Sequence, residues 1–131
     1  MRTKEEFQYL KKGNQYFPLI DIEILHGKRK LKIKALVDSG ASFSVFRSEI
    51  ADYLKIPIEK GNLLYLTGIG GRILGYLHKL SIKVGNKVFS CKVVFSKEYT
   101  VSFNILGRDN FFVPFLITFN ERAKKIFLEE N

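Results

Sequence analysis

The sequence has no tryptophan, one cysteine and two histidines, and the shortage of cysteine and histidine excludes two classes of protein. A single cysteine cannot form an internal disulfide, so the fold does not depend on an oxidising compartment. No pair of cysteines or histidines has the spacing of an ordinary metal site, so we expect no metal and no cofactor. Cys91 falls in a strand pattern on an apolar face, which favours a buried structural thiol over a nucleophile.

Long apolar segments are also missing. The longest apolar run covers residues 111–119, contains Pro114 and Thr118, and is too short to span a bilayer. The first six residues are mostly charged and lack the apolar stretch of a signal peptide. The sequence therefore predicts a cytoplasmic protein without a membrane span.

Acidic residues are few: there are 13, against 22 lysines and arginines, which gives a net charge of +9. Such an excess raises the hypothesis of nucleic-acid binding, because basic surfaces release counterions from phosphates. In the densest cluster, residues 28–34, lysines alternate with Leu31 and Ile33, as on a strand with one solvent-exposed face. We therefore expect no nucleic-acid partner. A basic barrel that binds nucleic acid remains as the weakest hypothesis, behind the two that are described below.

Hydrophobic residues make up 46% of the 131 positions, enough for one domain with its own core. Most follow the period-two pattern of strands. The first predicted elements are strands over residues 19–25 and 30–37 and a helix over 48–54 capped by Ser48. Strands resume at residue 63, with a glycine-rich tip at 67–71, and continue over 73–84 and 87–95. An apolar segment ending at Gly107 then opens a short helix, and the last two strands cover 115–119 and 124–128. This pattern predicts an all-β barrel or sandwich with one or two helical turns.

The N-terminal residues do not fit this strand pattern. We assign residues 16–131 to a single domain and residues 1–15 to an N-terminal extension of uncertain structure. Residues 3–12 are compatible with a propeptide, an additional dimer strand or a disordered leader.

One carboxylate has an unusual position. Asp38 follows the apolar strand that ends in Leu36 and Val37, where an ionised carboxylate is costly to bury without hydrogen-bond donors. Ser39 and Gly40 permit a tight turn whose backbone N–H groups can face that carboxylate. Taken alone, however, this tripeptide more often marks an ordinary surface turn.

The wider context changes this interpretation. The stretch Ala35–Ser42 resembles the active-site signature of retropepsin-like aspartic peptidases, in which hydrophobic residues precede Asp-Thr/Ser-Gly-Ala. Asn104–Asp109 resembles the second signature of that family, two apolar residues and a glycine that lead into a short helix. Residues 67–71 lie between them, where the family has a glycine-tipped flap. This resemblance implies an all-β, closed acid-protease barrel of the retropepsin type with one or two short helices, in a homodimer.

The resemblance also implies a chemistry. In this family, two carboxylates share one proton and activate a water that attacks the peptide bond. Asp38 alone carries the signature, so the dyad requires Asp38 of a second copy, and the substrate is a protein or peptide. The implied supporting residues are Ser39, Gly40 and Ala41 in the active-site loop, Gly68, Ile69, Gly70 and Gly71 in the flap, and Ile105, Leu106, Gly107 and Arg108 beneath the active site.

Two further points concern these roles. Arg108 is expected to make a structural salt bridge rather than to touch the substrate. A second hypothesis for the whole chain is a catalytically inactive homodimeric module of the same fold that binds peptides or mediates association. The presence of Asp38 favours catalysis, because a pure binding module has no need to bury two carboxylates together.

Overall fold

The computed structural model describes residues 2–68 and 70–131; Ile69, one of the expected flap residues, lies outside the described residues. The described residues form strands β1 (Lys4–Gln8), β2 (Leu10–Lys12), β3 (Gln15–Phe17), β4 (Leu19–His26), β5 (Arg29–Val37), β6 (Ser44–Phe46), β7 (Asn62–Gly68), β8 (Gly71–Val84), β9 (Lys87–Phe95), β10 (Asn104–Leu106), β11 (Phe115–Asn120) and β12 (Lys125–Glu130). They also form helix α1 (Ser48–Leu54), a 3-10 turn (Ile58–Lys60) and an irregular helical turn (Arg108–Phe112).

Six of these strands close into a barrel. The hydrogen-bonded order is β4-β5-β10-β6-β9-β8, and β8 pairs back with β4 between Glu23↔Lys83 and Leu25↔Ser81. The β5–β10 and β6–β9 ladders are parallel, while the other ladders of the barrel are antiparallel. β7 pairs with β8 outside the ring and extends it as a hairpin. The prediction of a closed all-β barrel is confirmed.

Alternation along the strands fills the interior. Ile20, Ile22 and Ile24 of β4 are at most 2% exposed, whereas Asp21 on the same strand is exposed. Each such aliphatic side chain contributes about 1.5–3 kcal/mol when it is fully buried. The predicted β4–β5 hairpin is confirmed, because its register runs from Leu19↔Leu36 to His26↔Arg29.

Helix α1 has the predicted bounds, but its cap differs from the prediction. Arg47 is the N-cap residue, in an extended conformation, and no side chain caps the helix; Ser48 is its first helical residue, so the expected Ser48 cap is wrong. The reason is tertiary. The backbone N–H of Arg47 donates to Asn104 Oδ1 at 2.8 Å, which holds Arg47 at the end of β6, and the helix begins one residue later.

The helix expected after Gly107 is also altered. Residues 108–112 form a kinked turn in which Asp109 is extended and Asn110 has a φ of 70°. The backbone N–H of Asp109 donates to the carbonyl of Ser42 at 2.8 Å, and Asn110 Oδ1 accepts from the N–H of Lys92 at 3.3 Å. These contacts hold the chain against the loop that follows β5 and against β9, so a regular helix does not form.

The N-terminal residues, whose structure the sequence left open, form β1 and the β2–β3 hairpin. β1 lies at one edge of a three-stranded sheet with the order β1-β12-β11. The backbone N–H of Thr3 donates to Glu130 Oε1 at 2.9 Å, and Tyr9 donates its hydroxyl hydrogen to Glu121 Oε2 at 2.6 Å. Both ends of β1 are thereby bonded to the C-terminal part of the chain.

Candidate active site

Asp38 occupies the first position after β5, at the rim of the barrel. Its Oδ1 accepts a hydrogen bond from the backbone N–H of Gly40 at 2.9 Å, and its carbonyl accepts from the N–H of Ala41 at 3.2 Å. The carboxylate therefore lies in a tight turn that is stabilised by backbone N–H groups of the next residues in the chain. Asp38 is half-buried, while Ser39 and Gly40 are exposed. This geometry orients the carboxylate while part of it stays exposed to solvent.

The second signature lies directly beside the first. In the parallel β5–β10 ladder, Ile105 is paired with Leu36 and Leu106 with Val37. The backbone N–H of Asp38 donates to the carbonyl of Leu106 at 3.0 Å, and the Leu106 side chain is fully buried. The two segments, far apart in sequence, thus form one support for the carboxylate.

The residues that follow β10 bind the rest of the active-site loop. The backbone N–H of Arg108 donates to the carbonyl of Ala41 at 2.9 Å, and the N–H of Gly107 donates to Ser44 Oγ at 3.0 Å. A Cβ on Gly107 would overlap the backbone carbonyl of Phe43. Glycine is therefore required at position 107 by close packing rather than by its φ of −99°.

The side chain of Arg108 is exposed. No carboxylate among residues 2–68 and 70–131 of the same chain lies within ion-pair distance of its guanidinium. The expected salt bridge of Arg108 is therefore not formed within the described part of one chain.

The glycine-rich tip joins β7 to β8, as predicted. The last described pair of this hairpin is Gly68↔Gly71, and Gly71 has a φ of 111°, a conformation that favours glycine. On one face, Leu63 and Tyr65 are more than half exposed, and the guanidinium carbon of Arg72 lies 4.2 Å from the centre of the Tyr65 ring. Among the described residues, β7 pairs with β8 alone, so this hairpin projects from the barrel with apolar side chains exposed.

Tyr99, in the loop that leads to β10, is a residue that the sequence reasoning did not single out. Its hydroxyl donates to the carbonyl of Phe103 at 2.7 Å, just before β10. Burial raises the pKa of Tyr99 to about 12; Arg47 opposes this rise, and the negative charge of Asp38 adds to it. Tyr99 thus lies within electrostatic range of Asp38. No motif marks it, because its position depends on the path of the loop between β9 and β10.

Cys91 is fully buried near Ser44, beneath the active-site loop. Burial raises the pKa of this thiol to about 12, so the side chain stays neutral at physiological pH. The prediction of a buried structural thiol is confirmed.

Two surface cavities lie away from Asp38. One, of about 680 Å³, is lined by residues of β1, β4 and β5 and by the end of β8, and the other, of about 240 Å³, lies at the base of the β7–β8 hairpin. Within the described residues, no three His, Cys, Asp or Glu side chains come together as a metal site requires. The described part of the chain also has no helix that is long and apolar enough to cross a membrane.

Comparison with known proteins identifies the family. The aspartyl protease family matches residues 21–110, more than half of the chain. A retropepsin-like aspartic protease from Rickettsia conorii has a similar structure, with a TM-score of 0.68 and 19% identity over 99% of this chain and 94% of that one. The EIAV protease, solved in complex with an inhibitor, has a TM-score of 0.56 and 20% identity over 76% of this chain and 88% of that one. No curated protein sequence matches the chain. The chain belongs to the aspartyl protease family and has the retropepsin-like fold.

Proposed function

We propose that the chain is an aspartic endopeptidase whose active site forms between two copies. The observation that carries this proposal is the Asp38 turn, in which a backbone N–H holds one carboxylate oxygen at the rim of the barrel. The family match covers this turn and the segment that supports it. An ordinary surface turn would not need the hydrogen bonds that β10 and the following residues supply to this loop.

The proposal of a second chain rests on the sequence, in which Asp38 is the only aspartate followed by the Ser-Gly of the signature. Asp21, another aspartate within the matched region, forms an ion pair with Lys34 at 2.8 Å on the outer face of the barrel. In the proposed dimer, Asp38 of each copy meets across a two-fold axis, which makes activity dependent on protein concentration.

The proposed mechanism uses the two carboxylates in different protonation states. Like charges in contact cannot both ionise, so the pair shares one proton and titrates as a unit. The ionised carboxylate takes a proton from a water molecule, and that water attacks the carbonyl carbon of the peptide bond. The protonated carboxyl donates a hydrogen bond to the carbonyl oxygen, where negative charge develops. When the tetrahedral intermediate collapses, the C–N bond breaks and the carboxyl that took the proton from water gives it to the leaving nitrogen. The products are a carboxylic acid and an amine, and the pair again shares one proton. The N–H of Gly40 keeps each carboxylate oriented.

The remaining residues have supporting roles in this proposal. Ser39 bonds to its symmetry mate and joins the two active-site loops, while Ala41 accepts the N–H of Arg108. Ile105, Leu106 and Gly107 form the support beneath them. The β7–β8 hairpin, with Gly68, Ile69, Gly70 and Gly71 at its tip, acts as a flap that closes over an extended peptide and excludes water. The peptide binds by strand addition, so its backbone sets the register.

The test compares two amide substitutions. Purified wild-type protein is expected to cleave a peptide library or a denatured protein at acidic to mildly acidic pH and to be inhibited by a statine-type transition-state mimic. Asp38→Asn should abolish cleavage while dimerisation in sedimentation is retained. Asp21→Asn is the matched control, because it removes a carboxylate that lies on the outer face and should leave cleavage unchanged.

Three results would contradict the proposal. Undiminished cleavage by Asp38→Asn would remove Asp38 from the mechanism. A strictly monomeric protein at high micromolar concentration would remove the second carboxylate. A dimer that binds peptides but cleaves none under any of these conditions would instead support the inactive binding module.

A further inference from the structure

The root of the β7–β8 hairpin, at Leu74, is bonded to the chain that follows β9. These bonds are made by side chains and not by a strand ladder. The β8–β9 ladder ends at Tyr76↔Phe95, and on the same register Leu74 would lie opposite Lys97. The backbone groups of Leu74 bind the two neighbours of Lys97 instead. The N–H of Leu74 donates to Glu98 Oε1 at 2.8 Å, and the carbonyl of Leu74 accepts from Ser96 Oγ. We name this group the Leu74 clamp (Leu74, Ser96 and Glu98).

The two side chains of the Leu74 clamp are connected. Ser96 Oγ also accepts the backbone N–H of Glu98 at 3.1 Å, so its donor and acceptor functions are both used within one small network. Ser96 is only 1% exposed, whereas Glu98 is exposed. Breaking the Ser96 bond would leave buried polar groups without partners, while water can replace the carboxylate of Glu98 on the N–H of Leu74. The clamp thus has one buried contact, made by Ser96, and one exposed contact, made by Glu98, which water can exchange.

Gly75 brings β8 close to the end of β9 at this point. A Cβ at Gly75 would lie 2.5 Å from Val94 Cγ1 and 3.4 Å from the carbonyl of Phe95. From Leu74 towards the tip, the described part of β8 pairs with β7 and with no other strand. Among the described residues, the Leu74 clamp thus supplies the outermost hydrogen bonds between the hairpin and the loop that follows β9, and it lies where a moving hairpin would pivot.

The same loop leads to β10, the strand that supports Asp38. After Glu98 it continues through Tyr99, whose hydroxyl is bonded to the carbonyl of Phe103, and enters β10 beside β5. One short loop thus joins the root of the hairpin to the strand that underlies Asp38.

We propose that Ser96 and Glu98 are positioning residues that set the opening of the flap: Ser96 holds its pivot, and Glu98 is the contact released when the flap opens. This inference rests on the proposed function, because it gives the β7–β8 hairpin the role of a flap. Neither residue touches the reacting atoms. Replacement of the exchangeable contact shifts the hairpin towards the open state without disturbing the barrel.

The test uses the full-length chain and hydrogen–deuterium exchange. Glu98→Ala should raise the exchange rate of the Leu74 amide, and of residues 64–68 and 71–75, by about fivefold, because one hydrogen bond is lost. Glu98→Gln keeps an acceptor oxygen and should restore exchange close to the wild-type rate. Glu59→Ala is the matched control: Glu59 is an exposed carboxylate at the same root, paired with Lys97 at 2.8 Å, and it takes no part in the three hydrogen bonds of the Leu74 clamp.

Activity adds a second readout. Glu98→Ala should raise KM for a peptide several-fold with a smaller change in kcat, and Glu98→Gln should reverse that rise. Unchanged exchange in Glu98→Ala, or an equal increase in Glu59→Ala, would overturn the inference. If the wild-type chain cleaves no peptide, the proposed function fails, while the exchange experiment still decides whether the clamp controls the hairpin.

Discussion

The backbone N–H of Asp38 donates to the carbonyl of Leu106 at 3.0 Å, across 68 positions of sequence. This bond continues the parallel β5–β10 ladder by one residue, beyond the Leu106↔Val37 pair. It joins Asp38 of the first signature to Leu106 of the second. The position of the carboxylate therefore depends on a fully buried leucine. A change that shifts β10 is therefore expected to move Asp38 as well.

Gly107→Ala should destabilise the chain by about 1–3 kcal/mol, because the added methyl group overlaps the backbone carbonyl of Phe43, which cannot rotate away. Urea denaturation followed by circular dichroism measures the loss. Gly68→Ala is the control, since its Cβ would meet open space, and it should change the free energy of unfolding by less than about 0.5 kcal/mol. Equal stability of the two variants would contradict the packing argument.

We expect the folded protein to become less stable in alkali because of Tyr9. Burial, with a contribution from Glu121, raises the pKa of Tyr9 to about 12, against about 10 in an unfolded chain. Because the folded state holds this proton more tightly, its contribution is complete below pH 10 and declines as the pH rises from about 10 towards 12. Tyr9→Phe should flatten this decline in thermal unfolding midpoints measured across that range. An identical slope in both proteins would rule out Tyr9 as the cause.

Phe7→Ala tests whether β1 is part of the folded unit. Phe7 is half-buried and packs against the barrel core, so its truncation should cost about 1–2 kcal/mol, less than for a fully buried side chain. Lys4→Ala, on the exposed face of the same strand, should have little effect. A chain that begins at Leu10 should melt at a lower temperature than the wild type. An unchanged melting temperature in that shortened chain would show that the segment is dispensable, as a propeptide would be.

Cys91 should resist thiol reagents in the native protein. The thiol is fully buried, and its pKa of about 12 leaves almost no thiolate at neutral pH. Labelling by a chromogenic disulfide should therefore proceed only as fast as the protein opens, and it should become rapid in denaturant. Fast labelling of the native chain, at the rate of a free cysteine, would mean that the region beneath the active-site loop opens readily.

Local patterns were sufficient for part of the molecule. The alternation of Ile20, Ile22 and Ile24 with acidic residues predicts β4 and its inner face, and a short turn places β5 beside it. Such predictions work because side-chain direction in a strand depends only on the period of two. The Ser48 cap failed because Asn104 binds the backbone of Arg47, and that contact joins residues far apart in sequence.

Asp38, its glycine turn and the second signature were found from the sequence by itself, because each is a short run of residue types with a local conformational role. Tertiary structure alone decided which strands pair: β4 with β8 to close the barrel, β5 with β10 to support Asp38, and β1 with β12. Tertiary structure also decided the bond between Tyr99 and Phe103 and the contacts of the Leu74 clamp. A period-two pattern states which side chains face inward but does not name the neighbouring strand or the register, which long-range packing of the whole core selects.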